Sequence, residues 1–366
     1  MKTITDLFRA FGAEYLEKYK NVDFRQMHVM EAIVRCRSGH YGMSFHQCGC
    51  CGSKHIFPSS CGNRHCPACQ NHKIRQWLES QVDRALPVHY FMVTFTVQSE
   101  FKRIIKKNRK KAYDAFFEAS SGTIKTLAAR KRPGNLPGFF GVLHTWDRQI
   151  GDHPHIHYIV AGGCLSEDGK WMPEQQNYFL PVEALSRMFK ARFLEGMRKE
   201  GLLEGERDGA WDKPWVVNVQ AVGSCENSIG YLAPYVFKSA ITNSRIVSIE
   251  DRQVTFRYRK GKSNRWRRRT MEVLEFIRLY LQHVLPKGFM KVRHYGFMHQ
   301  SSRHTLEEVR AAIEEAAGLP SRKRERKEKK KYVPSCPDCG GALEYLLSVI
   351  RGKVLIFGKP ALNNTG

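Results

Sequence analysis

Two histidines and two tyrosines carry the pattern in this chain with the clearest chemical use. His155-Ile156-His157 lies in a stretch of strand-like composition, where alternation with period two puts both imidazoles on one face and Ile156 on the other. Two imidazoles so spaced form a two-point clamp for a metal ion. His144 and His153 lie close by, and Gly162-Gly163 follows. Downstream, Tyr231 and Tyr235 are four residues apart, about one turn on a helix and so on one face. Pro234 between them either costs that helix about 3 kcal/mol or marks where it begins, and in the second case the two phenols are not equivalent. Both spacings also occur in ordinary cores; the nearby histidines and a phenol nucleophile downstream favour chemistry.

The cysteines form a second constellation. Of eleven, seven fall between Cys36 and Cys69. That density is too low overall for a disulfide scaffold, and the clustering suggests metal. Cys48/Cys51 and Cys66/Cys69 are C-x2-C knuckles whose four thiolates are expected on one tetrahedral structural Zn2+, with Cys50, Cys61, His55 and His65 as alternative ligands. Four thiolates leave no open position for chemistry, so the zinc should fold or aim a DNA-contacting module. Cys336 and Cys339 read as half a zinc ribbon with no second half in the chain, either unpaired or completed by another molecule.

Charge points to the partner. The net charge is +25 over 366 residues, and most of the excess sits in three runs, Lys102–Lys111, Arg257–Arg269 and Arg322–Lys331. Strips of this kind suit a polyanion. In the middle run Phe256, Tyr258 and Trp266 alternate with arginines, as a single strand with phosphates and splayed bases requires. Arg257, Tyr258, Arg259, Lys260, Arg265, Trp266 and Arg267 are therefore the expected DNA-binding residues. No run reaches the roughly 18 apolar residues of a membrane span, and Met1–Ala10 carries no signal-peptide pattern, so a cytoplasmic, nucleoid-associated protein with no membrane partner is expected.

The elements that must position these residues follow from pattern. Asp6–Cys36 reads as helical, as do His72–Leu86, Glu100–Arg130, Val182–Gly201, Cys225–Ile241 and Val273–Leu285. Val88–Val97 and Trp215–Val222 read as strands, Phe139–Arg148 and His155–Ala161 as a hairpin, and Arg245–Arg259 as a strand pair. The expected class is α+β: a zinc-ribbon-like module (1–85), a central antiparallel sheet flanked by helices (86–245), a basic DNA-binding extension (246–320), and a basic linker with a short Cys-containing tail (321–366).

Four motifs in order resemble one family. His153-Pro154-His155-Ile156-His157, Tyr231-Leu232-Ala233-Pro234-Tyr235-Val236, the knuckle from Ser60-Cys61 to Cys69-Gln70, and His283-Val284-Leu285-Pro286-Lys287-Gly288-Phe289 with Arg293-His294-Tyr295-Gly296-Phe297 resemble transposases of the family named for insertion sequence ninety-one. These are rolling-circle enzymes of the His-hydrophobic-His (HUH) endonuclease class with two tyrosines, and the resemblance runs from about Ala32 to Phe297.

The resemblance implies metal-dependent cleavage and transfer of single-stranded DNA through a 5′-phosphotyrosine, with Tyr231 and Tyr235 as nucleophiles and Mg2+ or Mn2+ at His155 and His157. Two imidazoles are few for a hard cation, so a further ligand is expected from His144, Asp147, Gln149 or His153, the hairpin register deciding which. The partners implied are transposon ends and target DNA. Because no P-loop pattern occurs, host helicase and replication proteins would have to unwind them. Competing readings are a replication initiator or relaxase of the same class, or a zinc-ribbon DNA-binding protein without catalysis.

Overall fold

The computed structural model describes residues 3–203, 213, 215–224, 240–263, 265–320, 333–350 and 352–355. The chain divides into two compact units, 1–70 with 323–366, and 71–322. This division differs from the four expected segments, because the tail returns to the N-terminal module and part of the basic extension completes the central sheet.

The first unit opens with α1 (Ile4–Lys18) and α2 (Phe24–Val34), where one helix was expected. Asp23 breaks the run by capping α2: its carboxylate accepts from Arg25 N at 2.7 Å while Gln26 returns a bond to Asp23 N, a capping box. The hairpin β1 (Met43–Cys48) and β2 (Lys54–Pro58) follows.

The second unit runs α3 (Asn71–Asp83), β3 (His89–Thr96), α4 (Lys102–Lys107), α5 (Arg109–Lys131), β4 (Leu136–Trp146), β5 (Asp152–Leu165), β6 (Trp171–Pro173), α6 (Val182–Lys199), β7 (Val217–Ser224), β8 (Ile246–Glu250), β9 (Gln253–Lys260), β10 (Arg265–Glu272), α7 (Val273–Leu281), β11 (Val292–Gly296) and α8 (Leu306–Ala316). Its main sheet has the antiparallel order β11-β4-β5-β3-β7, with β6 on β5. The class is α+β, as expected.

Alternation along these strands divides the core in two. Phe91, Val93, Phe95, Leu143, Ile156 and Tyr158 face α5 and α6, whose Phe116, Phe189 and Phe193 are fully buried among them. Each such ring contributes about 1.5–3 kcal/mol by leaving water. On the other face Tyr90, Phe140, Val142, Ile159 and Ala161 meet Val309 and Ile313 of α8. His155 and His157 share the parity of Ile159, so they stand on this second face, at the end of the sheet where β5 begins. Gly162-Gly163 serves packing: a Cβ at Gly162 would come 2.4 Å from the His89 ring and one at Gly163 2.2 Å from Trp171.

A separate three-stranded sheet, β10-β9-β8, carries the arginine run. The tail supplies β12 (Leu343–Ile350) and β13 (Lys353–Leu355), and β12 pairs antiparallel with β1 in a sheet ordered β13-β12-β1-β2. No helix among the described residues is long and apolar enough to cross a membrane.

Candidate functional site

Register decides the imidazole group. Pairing of β4 with β5 sets His144 opposite His155, and β3 sets Thr94 opposite His157. Ligand atoms of His144, His155 and His157 all lie within 4.8 Å of one another, with His144 Nδ1 3.3 Å from His155 Nε2. His144 is thus the third nitrogen, of the four residues considered. Asp147 turns inward to its own loop, accepting from Gln149 N at 2.8 Å and Gly151 N at 2.7 Å. His153 contributes its carbonyl, 2.7 Å from His155 Nδ1.

These contacts fix which nitrogens are available. His155 Nδ1 faces a carbonyl, which can only accept, so the lone pair of that ring rests on Nε2; His157 Nδ1 lies 2.8 Å from Thr94 Oγ1, and when Nδ1–H donates to that hydroxyl its lone pair rests on Nε2 as well. Burial pushes the pKa of His155 down to about 4 and that of His157 down to about 3, and neighbouring imidazoles add to the effect. His144 is lowered for the same two reasons. Neutral imidazoles with converging lone pairs are the state a metal needs. Three nitrogens with no carboxylate among them fit Mn2+ better than Mg2+, which prefers oxygen.

The turn beside the group is held from outside. Ile150, a β-branched residue at φ +61, is buried, and its carbonyl accepts from Gln282 Nε2 at 3.0 Å and His283 Nε2 at 3.0 Å. His283 Nδ1 also lies 3.1 Å from Thr145 Oγ1. Thr94, Gln282 and His283 were not singled out as site residues from sequence; the motif beginning at His283 was noted without its role, and nothing local marked Thr94.

Positive charge surrounds this end of the sheet. Lys102, Lys106 and Arg109 act on Asp152, whose carboxyl burial nonetheless raises, and Lys291 lies 4.5 Å from the Trp146 ring. Arg245 Nη2 donates to Arg148 O at 2.6 Å. Tyr231 and Tyr235 lie outside the described residues, as do the helix expected over Cys225–Ile241, apart from Ala240 and Ile241, and the whole of the basic run Arg322–Lys331.

The arginine hairpin sorts its side chains by face. Cross-strand pairs are Arg265 with Lys260, Trp266 with Arg259, Arg267 with Tyr258, and Arg268 with Arg257. Phe256 points inward and is buried against Phe276 of α7, ring centroids 5.9 Å apart, so the three rings do not share one surface. Trp266 is 51% exposed, with the guanidiniums of Arg257 and Arg259 at 5.0 and 5.1 Å from its ring. Tyr258 and Arg267 belong to the parity of Phe256.

Among the described residues the cysteines assemble into two groups rather than the one expected. Cys66 and Cys69 join Cys36 and Cys61, whereas Cys48 and Cys51 join Cys336 and Cys339. Fourteen residues separate the two N-terminal knuckles, but each finds its partners elsewhere, so the single set Cys48, Cys51, Cys66, Cys69 is not brought together. In a tetrahedron with metal–sulfur bonds of about 2.3 Å, neighbouring sulfurs are about 3.8 Å apart. Cys61 and Cys69 stand at 3.7 Å. His65, one of the alternatives, is not in either group.

Known families and relatives match the chain. Residues 7–97 match the family described as "Transposase zinc-binding domain", and residues 138–305 match the one described as "Putative transposase". "Putative transposase y4qJ" of Sinorhizobium fredii (strain NBRC 101917 / NGR234) is 35% identical over 369 residues, covering 92% of this chain and 92% of the relative. "Transposase for insertion sequence element IS801" of Pseudomonas savastanoi pv. phaseolicola is 25% identical over 294 residues, covering 75% and 70%. No solved structure matches the chain. The protein is a transposase, an enzyme that acts on DNA. Within that class it belongs to the IS91 family, with an N-terminal zinc-binding domain carrying structural zinc.

Proposed function

We propose that this transposase cuts and rejoins single-stranded DNA by a rolling-circle route, using a tyrosine nucleophile beside a divalent cation at His144, His155 and His157. The observation that carries the proposal is the convergence of those three neutral imidazoles on one face of the central antiparallel sheet. Mn2+ or Mg2+ bound there supplies charge neutralisation for the scissile phosphate. A phenol oxygen of Tyr231 or Tyr235 attacks phosphorus, forming the tyrosyl–phosphate bond as the bond to the 3′ oxygen breaks, and leaves a free 3′-OH. The phosphotyrosyl ester keeps the bond energy for rejoining, and a second tyrosine lets one centre hold two DNA ends. Both tyrosines belong to the matched segment 138–305.

Flanking residues support this reading. Arg245 bonds to Arg148 in the turn beside the imidazoles. Lys102, Lys106 and Arg109 at that end, with Trp266 between Arg257 and Arg259, suit phosphates and an unstacked base of a single strand. Transposon ends and target are the substrates, on the nucleoid, with host helicase and replication proteins exposing them.

The test is a labelled single-stranded oligonucleotide from the element's own end, incubated with the protein and Mn2+ or Mg2+. A covalent adduct on a denaturing gel, lost in His157→Ala and in Tyr231→Phe or Tyr235→Phe, is expected. DNA binding without any adduct would replace this reading with that of a zinc-dependent DNA-binding protein.

A further inference from the structure

We propose that Cys48, Cys51, Cys336 and Cys339 bind a second structural zinc ion, making residues 71–322 an insertion within a zinc ribbon whose halves stand near opposite ends of the chain. The zinc-binding family match stops at residue 97, so two of the four ligands lie outside it. All four sulfurs lie within 4.8 Å of one another; Cys48 to Cys339 is 3.4 Å and Cys51 to Cys336 is 3.8 Å, close to the edge of a thiolate tetrahedron.

The backbone around them has the form of two related knuckles. Cys50 N lies 3.4 Å from Cys48 Sγ, and Gly341 N lies 3.4 Å from Cys339 Sγ, each amide donating to a sulfur two residues back. Gly49 N donates to Ala342 O at 3.2 Å, and Cys336 N to Gly341 O at 2.7 Å. Gly341 is required by the close approach: a Cβ there would sit 2.8 Å from Cys50 Cβ, 3.2 Å from Cys48 Sγ and 3.3 Å from Cys339 Sγ. Beyond the knuckles, β1 and β12 run antiparallel from Cys48 opposite Leu343 to Met43 opposite Val349.

The packing at this point is sparse. The buried cluster at this point consists of Cys48, Cys336 and Leu343. So small a buried core contributes little by itself, and a zinc ion on the four thiolates would add folding free energy there. Binding releases the thiol protons to solvent and leaves a centre of net charge −2. His55 Nε2, 3.2 Å from Cys336 Sγ and 3.6 Å from Asp338 Oδ2, is positioned to donate to that anionic sulfur.

The experiment measures zinc per chain by mass spectrometry on the full-length protein purified under reducing conditions, with cysteine alkylation mapped in parallel. Wild type, counted beside a His155→Ala/His157→Ala variant that subtracts any ion at the imidazole group, should carry two thiolate-bound zinc ions, with Cys50, exposed and in neither cysteine group, as the reactive control. The Cys336→Ser/Cys339→Ser variant should carry one, with Cys48 and Cys51 newly alkylated and Cys36, Cys61, Cys66 and Cys69 still protected. Cobalt titration of metal-free wild type, which needs no variant to fold, should saturate the thiolate charge-transfer band at two equivalents. One zinc per wild-type chain, saturation at one cobalt, or a variant that keeps two zinc ions with Cys48 and Cys51 protected would overturn the proposal.

Discussion

Replacing Thr94 by valine isolates the support behind the imidazole group. The substitution keeps a β-branched side chain suited to the middle of the sheet and removes the hydroxyl that stands 2.8 Å from His157 Nδ1. In the metal-bound state Nε2 carries the metal and Nδ1 the proton, so the valine variant leaves that Nδ1–H without the hydroxyl that accepts from it within a buried site. Loss of an outer partner of this kind costs about 10–100-fold in metal affinity, or about 1.4–2.7 kcal/mol. Mn2+ titration followed by calorimetry and electron paramagnetic resonance, on wild type, Thr94→Val and Thr94→Ser, reads the effect directly. Valine should weaken Mn2+ binding by that factor while serine, which restores the hydroxyl, should return it to near the wild-type value. Equal Mn2+ affinity in wild type and Thr94→Val, with both folded by circular dichroism, would refute the reasoning, as would a serine variant as weak as valine.

Four further outcomes are expected. Trp266→Ala should weaken single-stranded oligonucleotide binding by about 1–3 kcal/mol in fluorescence anisotropy, and Arg257→Ala should lower the slope of log affinity against log salt by about 0.7; Phe256→Ala should instead lower the unfolding midpoint, since that ring is core. Acid should destabilise the protein through His283, whose pKa burial lowers to about 4 from an ordinary 6.5. Between those values the unfolded chain binds the proton and the folded one does not, so stability falls as pH drops from about 6.5 towards 4, by at most about 1.4 kcal/mol per pH unit. Urea unfolding of wild type and His283→Gln across that window should show the flatter profile in the variant, and parallel profiles would count against it.

Much of this was legible where the governing interactions are local. Period-two alternation put His155 and His157 on one face, and the hairpin expected over Phe139–Arg148 and His155–Ala161 corresponds to β4 and β5. What depended on register was not legible: His144 joins the group only because β4 pairs with β5 at that offset, and a slip of one residue would have turned it to the other face. The helix break at Asp23 was readable from Asp23 and Gln26, a cap that the hydrophobic spacing of the flanking segments obscured. Cysteine spacing identified each knuckle but not its partner, since proximity in sequence says nothing about a strand that arrives from the far end of the chain. For the same reason local spacing does not mark β11 as a strand of the central sheet, although His294-Tyr295 stands within the motif Arg293-His294-Tyr295-Gly296-Phe297.

The pairing of β1 with β12 also bears on synthesis. The β1–β2 hairpin leaves the ribosome early, but the strand that covers its other edge is made almost 300 residues later, roughly 15–60 s at about 5–20 residues/s. Throughout that interval β1 presents unpaired backbone groups, the kind of edge on which nascent chains join one another. A copy of the gene interrupted anywhere before the codon for Leu343 would make a protein that keeps that edge open, so truncated copies are expected to aggregate or be degraded.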